Sequence, residues 1–386
     1  MQAALLACGI VLVAFRCNQN KSNCLFSFIW YCFGMIAIQD KSRTTLMARE
    51  AAEAPERCAA QIARNAGLMR EVGQRLRVLA PPFAATLARG SSDQAAAFAK
   101  VLLETRAGLP TLSHAPSIGS LYKATSPRFK GVPLIAISQS GRSPDLIAAA
   151  VDAQRQGALV VTIVNDDASP LAELADICIP IHAGPETSVA ATKSFIGTLV
   201  ALAHLAAEWS EDKALLAALA SVGDVLEAAV AADWTGAVPL LKEPGNMLVL
   251  GRGLTLPIAG EAALKFKETS SLHAEAFSIA EVAHGPMTLI GEGDPVLALG
   301  PIDAARAGLR ERLEDFRARG AQVIAVGHPD DVAAATLALP GQWDVHPVLN
   351  AIAQIQSFYG LANALSLARG YNPDAPPHLA KVTRTL

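Results

Sequence analysis

"PLIAISQSGRSPDLIAAAVDAQRQGALVVTIVND" (residues 133–166) decides the fold class. A short apolar run enters a turn of small residues, an Ala-rich stretch follows, and a second apolar run ends at Asn165-Asp166. Short apolar runs bounded by turn residues read as buried strands, and the Ala-rich stretch between them reads as a helix. A strand, a crossover helix and a second strand make a right-handed β-α-β unit with parallel strands. Working outward, "FAATLARGSS" (83–92) and "ICIPIHAG" (177–184) are strands of the same kind. The pattern then recurs: "NMLVLGRGLT" (246–255) resembles the first of these, "DPVLALGP" (294–301) resembles "PLIAISQSG", and "QVIAVGHPDD" (322–331) resembles "LVVTIVNDD". Arg89-Gly90 and Arg252-Gly253 hold corresponding places. The predicted fold is α/β, two tandem three-layer α/β/α units with parallel sheets, related by internal duplication.

Composition agrees. Of 386 residues, 52% are apolar and only 5% aromatic, with Ala, Leu and Val dominant, which suits helices packed on buried strands. The expected layout is an atypical extension over 1–46, a helical lead-in with the first unit over 47–208, and a helical connection over 209–240. The second unit follows over 241–370, and a proline-rich tail over 371–386 lies across another surface. The extension holds four of the six cysteines and two apolar runs, "AALLACGIVLVAF" and "LFSFIWYCFGMIAI". Each run is shorter than the roughly 20 residues that span a bilayer. No membrane partner is expected, and the extension reads as lying upstream of a native start at Met47.

Formal charge is −3 and no basic run interleaves with aromatics, so nothing marks a nucleic-acid partner; a small molecule is expected instead. Cys58 and Cys178 are the only cysteines after the extension, and no C-x-x-C occurs, which fits a reduced, cytoplasmic protein. His273-Ala-Glu275 has the H-x-E spacing of zinc deaminases without the P-C-x-x-C that supplies the other ligands. Neither a metal nor an organic cofactor is expected.

Two segments carry the chemistry. At a strand-to-helix junction, Ser138, Gln139, Ser140 and Ser143 form a small-residue turn with Pro144 just inside the helix. Backbone N–H groups at a helix start, aided by hydroxyls, suit a phosphate dianion. "GSS" (90–92), with Ser92, and "ETSVAATKS" (186–194), with Val189 and Ala191, lie at comparable strand ends. The second unit has "LGPIDA" in place of the hydroxyl-bearing turn, so the first unit is expected to hold the phosphate. The other segment is a helix from about residue 257 to 270, on which Glu261, Lys265 and Glu268 share one face while Lys267 points to solvent. An apolar surround makes such a cluster costly unless it is paired or used. Glu268 is a candidate proton carrier, Lys265 a source of charge or of an amine, and His284, in the "VAHGP" turn, a candidate acid/base.

Together these stretches resemble the isomerase half of the glutamine-dependent fructose-6-phosphate amidotransferases, a family built from two sugar isomerase (SIS) domains, and the glutaminase-less glucosamine-6-phosphate deaminases. The resemblance runs from about residue 47 to 386. It is carried by "SQSGRSPD", "VAATKSF", "GRGLTLPIAGEAALKFKETSSLHAEAF", "EVAHGP" and "PPHLAK". It implies that Ser138, Gln139, Ser140, Ser143 and Ser92 bind the sugar phosphate, with Val189, Ala191, Arg252 and Glu261 completing the substrate-facing set. It implies further that Glu268 moves a proton between C1 and C2, that Lys265 assists, and that Lys381 in the tail can form a Schiff base. His284 would open the sugar ring across a homodimer interface. Ala191 stands where the family motif has Ser, and no segment corresponds to the glutaminase domain. The expected activity is therefore conversion of glucosamine 6-phosphate to fructose 6-phosphate and ammonia, or the reverse with ammonia; the alternative is an aldose–ketose isomerase or deaminase of another hexose 6-phosphate such as galactosamine or fructosamine 6-phosphate. Sugar-phosphate binding for regulation alone is the remaining alternative.

Overall fold

The structure is a computed structural model that describes residues 45–124 and 129–379. Five strands form the first sheet: β1 (Ala84–Leu87), β2 (Thr111–Ser113), β3 (Pro133–Ser138), β4 (Leu159–Val164) and β5 (Ile177–Pro180). Five form the second: β6 (Asn246–Gly251), β7 (His273–Ser278), β8 (Pro295–Leu299), β9 (Gln322–Val326) and β10 (Leu337–Ala338). The orders are β2-β1-β3-β4-β5 and β10-β9-β8-β6-β7, so each sheet repeats the same neighbours, and every pairing is parallel. The duplication read from the sequence is thus present strand for strand.

β3 and β8 are buried along their whole length, as parallel strands covered on both faces require. One apolar core lies between the two sheets. It joins the inner face of each to the helices Ala54–Leu79, Lys193–Ser210 and Pro347–Ala368. A smaller core closes the outer face of each sheet, under the helix Pro144–Arg155 in the first and Leu309–Ala318 in the second. The two sheets thus flank a shared helical layer, each with a further helical layer outside it.

Three details differ from the sequence reading. β2, β7 and β10 were not expected: β2 and β10 are very short, and β7 carries charges on an edge. The predicted lead-in helix is two helices, Leu46–Ala52 and Ala54–Leu79, parted at Glu53 with Pro55 in the first turn of the second. Thr45 caps the first of these, its hydroxyl accepting from the Ala48 N–H at 3.1 Å, so the compositional boundary at Met47 falls inside a helix. Among the described residues no single helix is long and apolar enough to cross a membrane.

The strand order places a topological switch between β1 and β3, since their crossovers leave in opposite directions. Ligands of open α/β sheets bind in the crevice at the carboxyl ends of such strands. The turn after β1 leads into the helix Ser91–Arg106, and the turn after β3 into Pro144–Arg155. Ser91–Arg106 also packs on the helix Thr255–Ser270 of the second unit. At Gly260 a Cβ would stand 2.1 Å from Gln94 Oε1, so any larger residue would push the Gln94 side chain aside. The close crossing is what brings the two halves to one site.

Candidate active site

The helix Thr255–Ser270 carries the charged cluster on one face, as its spacing dictates. Lys265 Nζ lies 2.5 Å from Glu268 Oε2 and 3.4 Å from Glu261 Oε1. The side chain of Lys265 is 1% exposed, that of Glu261 0% and that of Glu268 24%; only the last reaches solvent. A surface i, i+4 pair would contribute a few tenths of a kcal/mol, but here two charges have left water, which costs several kcal/mol per ion unless they are fully partnered. Partners come from far along the chain. Ser91 Oγ accepts from Lys265 at 3.0 Å and donates to Glu261 Oε1 at 3.2 Å, and the Tyr359 hydroxyl donates to the same oxygen at 3.3 Å.

The electrostatics follow. Burial pushes the Glu261 carboxyl up to about 7, against the pull of Lys265. Its Oε2 is buried without a hydrogen-bond partner. Burial alone would lower Lys265, but Glu261 and Glu268 outweigh it and hold the ammonium above the ordinary lysine value. Tyr359 is raised well above the ordinary phenol by burial, then by Glu261, and stays a donor. Lys265 is therefore a fixed cation, with one carboxylate buried behind it and the other facing out.

At the end of β3 the predicted turn is in place. Ser138 Oγ accepts from the Gly141 N–H at 3.1 Å, and the Gln139 carbonyl accepts from Asn165 N at 3.2 Å. Gly141 has φ +61°, and a Cβ there would strike Ser169. Ser140 Oγ accepts weakly from Arg142 N at 3.4 Å. Ser143 precedes the helix with Pro144 at its start, yet its hydroxyl makes no capping bond. Arg89, from the end of β1, forms an ion pair with Asp145 in the first turn of that helix and so ties the two strand ends together. Ser92 sits half-buried in the first turn of Ser91–Arg106.

Val189 and Ala191 alternate with buried Ser188 and Ala190, so they are the half-exposed members of their loop. The loop is held by carboxylates that sequence reasoning missed. Glu186 accepts from Thr192 N at 2.8 Å, from Ser194 N at 3.3 Å and from the Ser194 hydroxyl. Glu50 accepts from Thr187 N at 2.5 Å, from its hydroxyl at 2.9 Å and from Ser188 N at 3.1 Å. The Asp374 carboxylate accepts from Leu46 N and Met47 N, each at 2.8 Å, and its carbonyl accepts from Val189 N at 3.4 Å. Asp374 thereby fixes the tail to both the first helix and the loop.

Beside Glu268 lies a cavity of about 490 Å³, lined by Lys267, Glu268, Ser271 and the tail residues Tyr371, Pro377, His378 and Leu379. The described part of the tail, residues 371–379, lies beside the end of the charged helix. Other residues singled out in the sequence lie apart from the cluster within one chain. His284 is exposed and makes no hydrogen bond or ion pair with Glu261, Lys265 or Glu268. His273 and Glu275, close in sequence to the cluster, sit on edge strand β7 and line a separate cavity with Asp294 at the start of β8. Arg252 donates to the Ala307 carbonyl at 3.0 Å, at the carboxyl edge of the second sheet. Lys381 lies outside the described residues.

A duplicated parallel sheet with a hydroxyl-rich turn at one switch point and a buried lysine–glutamate helix from the other half defines a class of protein. Residues 84–208 and 240–357 match the SIS domain, and the chain belongs to that family. It is 34% identical over 316 residues to the isomerizing glutamine–fructose-6-phosphate aminotransferase of Thermus thermophilus, covering 76% of this chain and 51% of that one. With the same enzyme of Thermococcus kodakarensis it is 35% identical over 259 residues, covering 64% and 43%. The chain thus spans about half the length of the curated relatives it matches. Among solved structures, a candidate phosphosugar isomerase from Silicibacter pomeroyi DSS-3 matches with TM-score 0.81 and 42% identity, over 86% of this chain and all of the other. The C-terminal domain of glucosamine-fructose-6-phosphate aminotransferase from Francisella tularensis matches with TM-score 0.76 and 25% identity, over 86% and 98%.

Proposed function

We propose that the protein is a sugar-phosphate isomerase that acts as an isomerising deaminase, converting glucosamine 6-phosphate to fructose 6-phosphate and ammonia. The observation that carries this reading is the Lys265–Glu268 pair, buried at its lysine end and open at its carboxylate end beside a cavity. A carboxylate so placed can take a proton from one carbon and return it to the next, while the adjacent fixed ammonium stabilises the enolate-like charge that develops between the two transfers.

The steps follow from the residues. The hydroxyls and N–H groups after β1 and β3 hold the 6-phosphate, with Ser92, Ser138, Gln139, Ser140 and Ser143 as its ligands. Val189 and Ala191 bound the sugar, and Arg252 and Glu261 act from behind the site. Glu268 moves the C2 proton of the open-chain sugar to C1, leaving a C2 imine; the Lys381 amine displaces ammonia from it, and water hydrolyses the lysine imine to the ketone. Lys381 is assigned the transient Schiff base with the keto sugar. His284, exposed on its own chain, serves a second copy's site in a homodimer.

The test is direct. Purified full-length protein, given glucosamine 6-phosphate without glutamine, should release ammonia and fructose 6-phosphate in equal amounts. Glu268→Gln should lower turnover by about a hundredfold or more while the sugar phosphate still binds. Undiminished turnover in that variant would remove Glu268 from the mechanism.

A further inference from the structure

We infer that His378 is a further acid/base residue of this site, the imidazole that takes the proton of the anomeric hydroxyl when the sugar ring opens. The inference rests on the isomerase reading above. Isomerisation needs an open-chain sugar, and an aldohexose 6-phosphate in water is almost wholly cyclic, so a proton acceptor is required at O1 and a donor at O5. Within one chain the charged cluster offers neither. Lys265 is a paired ammonium, Glu261 is sealed off, and Glu268 is committed to the C1 and C2 protons.

His378 is on the same cavity as Glu268, with Tyr371 and Leu379 beside it. The imidazole makes no hydrogen bond or ion pair with any described residue and is exposed. Its backbone has φ +64°, a left-handed conformation that few residues other than glycine adopt. Such conformations persist where the surroundings impose them, and they gather at functional sites. The surroundings here are specific: Asp374, four residues earlier, is bonded to Leu46, Met47 and Val189, and buried Pro376 follows it, so the segment arrives at the cavity from a fixed point. The titratable groups lining the cavity with His378 are Lys267 and Glu268 from the helix and Tyr371 from the tail.

The step balances without another reactant. The imidazole nitrogen accepts the O1 proton, the O–H electron pair becomes the second bond of C1=O1, and the C1–O5 pair leaves onto O5. O5 takes a proton from the acid on its other side, the role His284 has in the proposed dimer, and the two imidazoles restore their protons through solvent. Ring-opened sugar has the same atoms as the ring.

Wild type, His378→Gln and His378→Ala, as full-length proteins, test this with glucosamine 6-phosphate as substrate and glucitol 6-phosphate, which has no ring to open, as a binding probe. His378→Gln should lose about a hundredfold or more in kcat/KM. It should bind glucitol 6-phosphate within about twofold of wild type, and added imidazole should restore part of the activity of His378→Ala. Two outcomes overturn the assignment: an active wild type with an equally active His378→Gln, or a loss of turnover matched by an equal loss of glucitol 6-phosphate binding. A wild type that releases neither product would sink the proposed reaction first, and this residue's role with it.

Discussion

The carboxyl ends of the two sheets began as copies and now differ in what fills them. After β1, Ser92 has no partner among the described residues, and after β3 the Ser143 hydroxyl makes no cap. In the second unit the residue in the place of Ser92 is Thr255. Its hydroxyl donates to the Leu299 carbonyl at 2.7 Å and accepts from Arg252 N at 3.0 Å. Gly300, after β8, bonds through its N–H to the Val326 carbonyl at 2.8 Å and through its own carbonyl to Gln354 at 2.8 Å. A Cβ at Gly300 would stand 2.8 Å from both Leu309 and the Val326 carbonyl. One crevice keeps its donors free and the other has closed its own. In the proposed reaction the first crevice anchors the phosphate while the second unit's helix, the counterpart of Ser91–Arg106, carries the proton chemistry.

The largest effect is expected where the halves meet. Lys265→Met leaves buried Glu261 without its cation, so the variant should lose turnover and about 3–5 kcal/mol of stability, measured by urea unfolding. A variant that keeps its stability would mean that Glu261 is protonated without help, and that the halves are joined by Ser91 and Tyr359 alone. Next come the equivalent hydroxyls. Ser92→Ala should raise KM for the sugar phosphate about tenfold or more, from the ~1.5–3 kcal/mol of a hydrogen bond to a charged group, with little change in stability. Thr255→Val should do the reverse, costing ~1–3 kcal/mol through the orphaned Leu299 carbonyl while KM holds. If Thr255→Val shifts KM as Ser92→Ala does, the division between the crevices is wrong.

The smallest effect is a slope. Burial places Glu261 at about 7 in the folded protein, above its unfolded value of 4.5. The folded state therefore binds more protons than the unfolded state between those values. The associated stability is complete below pH 4.5 and is lost as pH rises through about 7. Glu261→Gln should flatten that part of the curve relative to wild type, read as the melting temperature at successive pH values. An unchanged difference across the window would show that Lys265 keeps Glu261 ionised throughout.

Much of this comparison was legible in the sequence because it depends on local pattern. The runs around Ile135 and Val161, the repeated Arg-Gly turns and the spacing of Glu261, Lys265 and Glu268 each follow from a period or a cap. The rest depends on long-range partners. Ser91 and Tyr359 meet Glu261 from 170 and 98 residues away, and no spacing rule reports that. β7 escaped for another reason: its exposed His273 and Glu275 alternate with more buried Ala274, and this reads as a charged stretch when the neighbouring helix is charged too. His378 was passed over because a histidine among prolines carries no periodicity; only the cavity beside Glu268 singles it out.

The bonds from Leu46 and Met47 to Asp374 span 328 and 327 residues. During synthesis their helix emerges before any of the ten strands, with its N–H groups lacking the acceptor that will complete its start. That acceptor is made only when all ten strands already exist. The same residue steadies the Val189 loop and the approach of His378, so a nascent chain can fold both sheets and still hold an unfinished pocket. The pocket is complete only once Asp374 has been made, and a chain cut short just before it should fold both sheets and lack turnover in the proposed reaction.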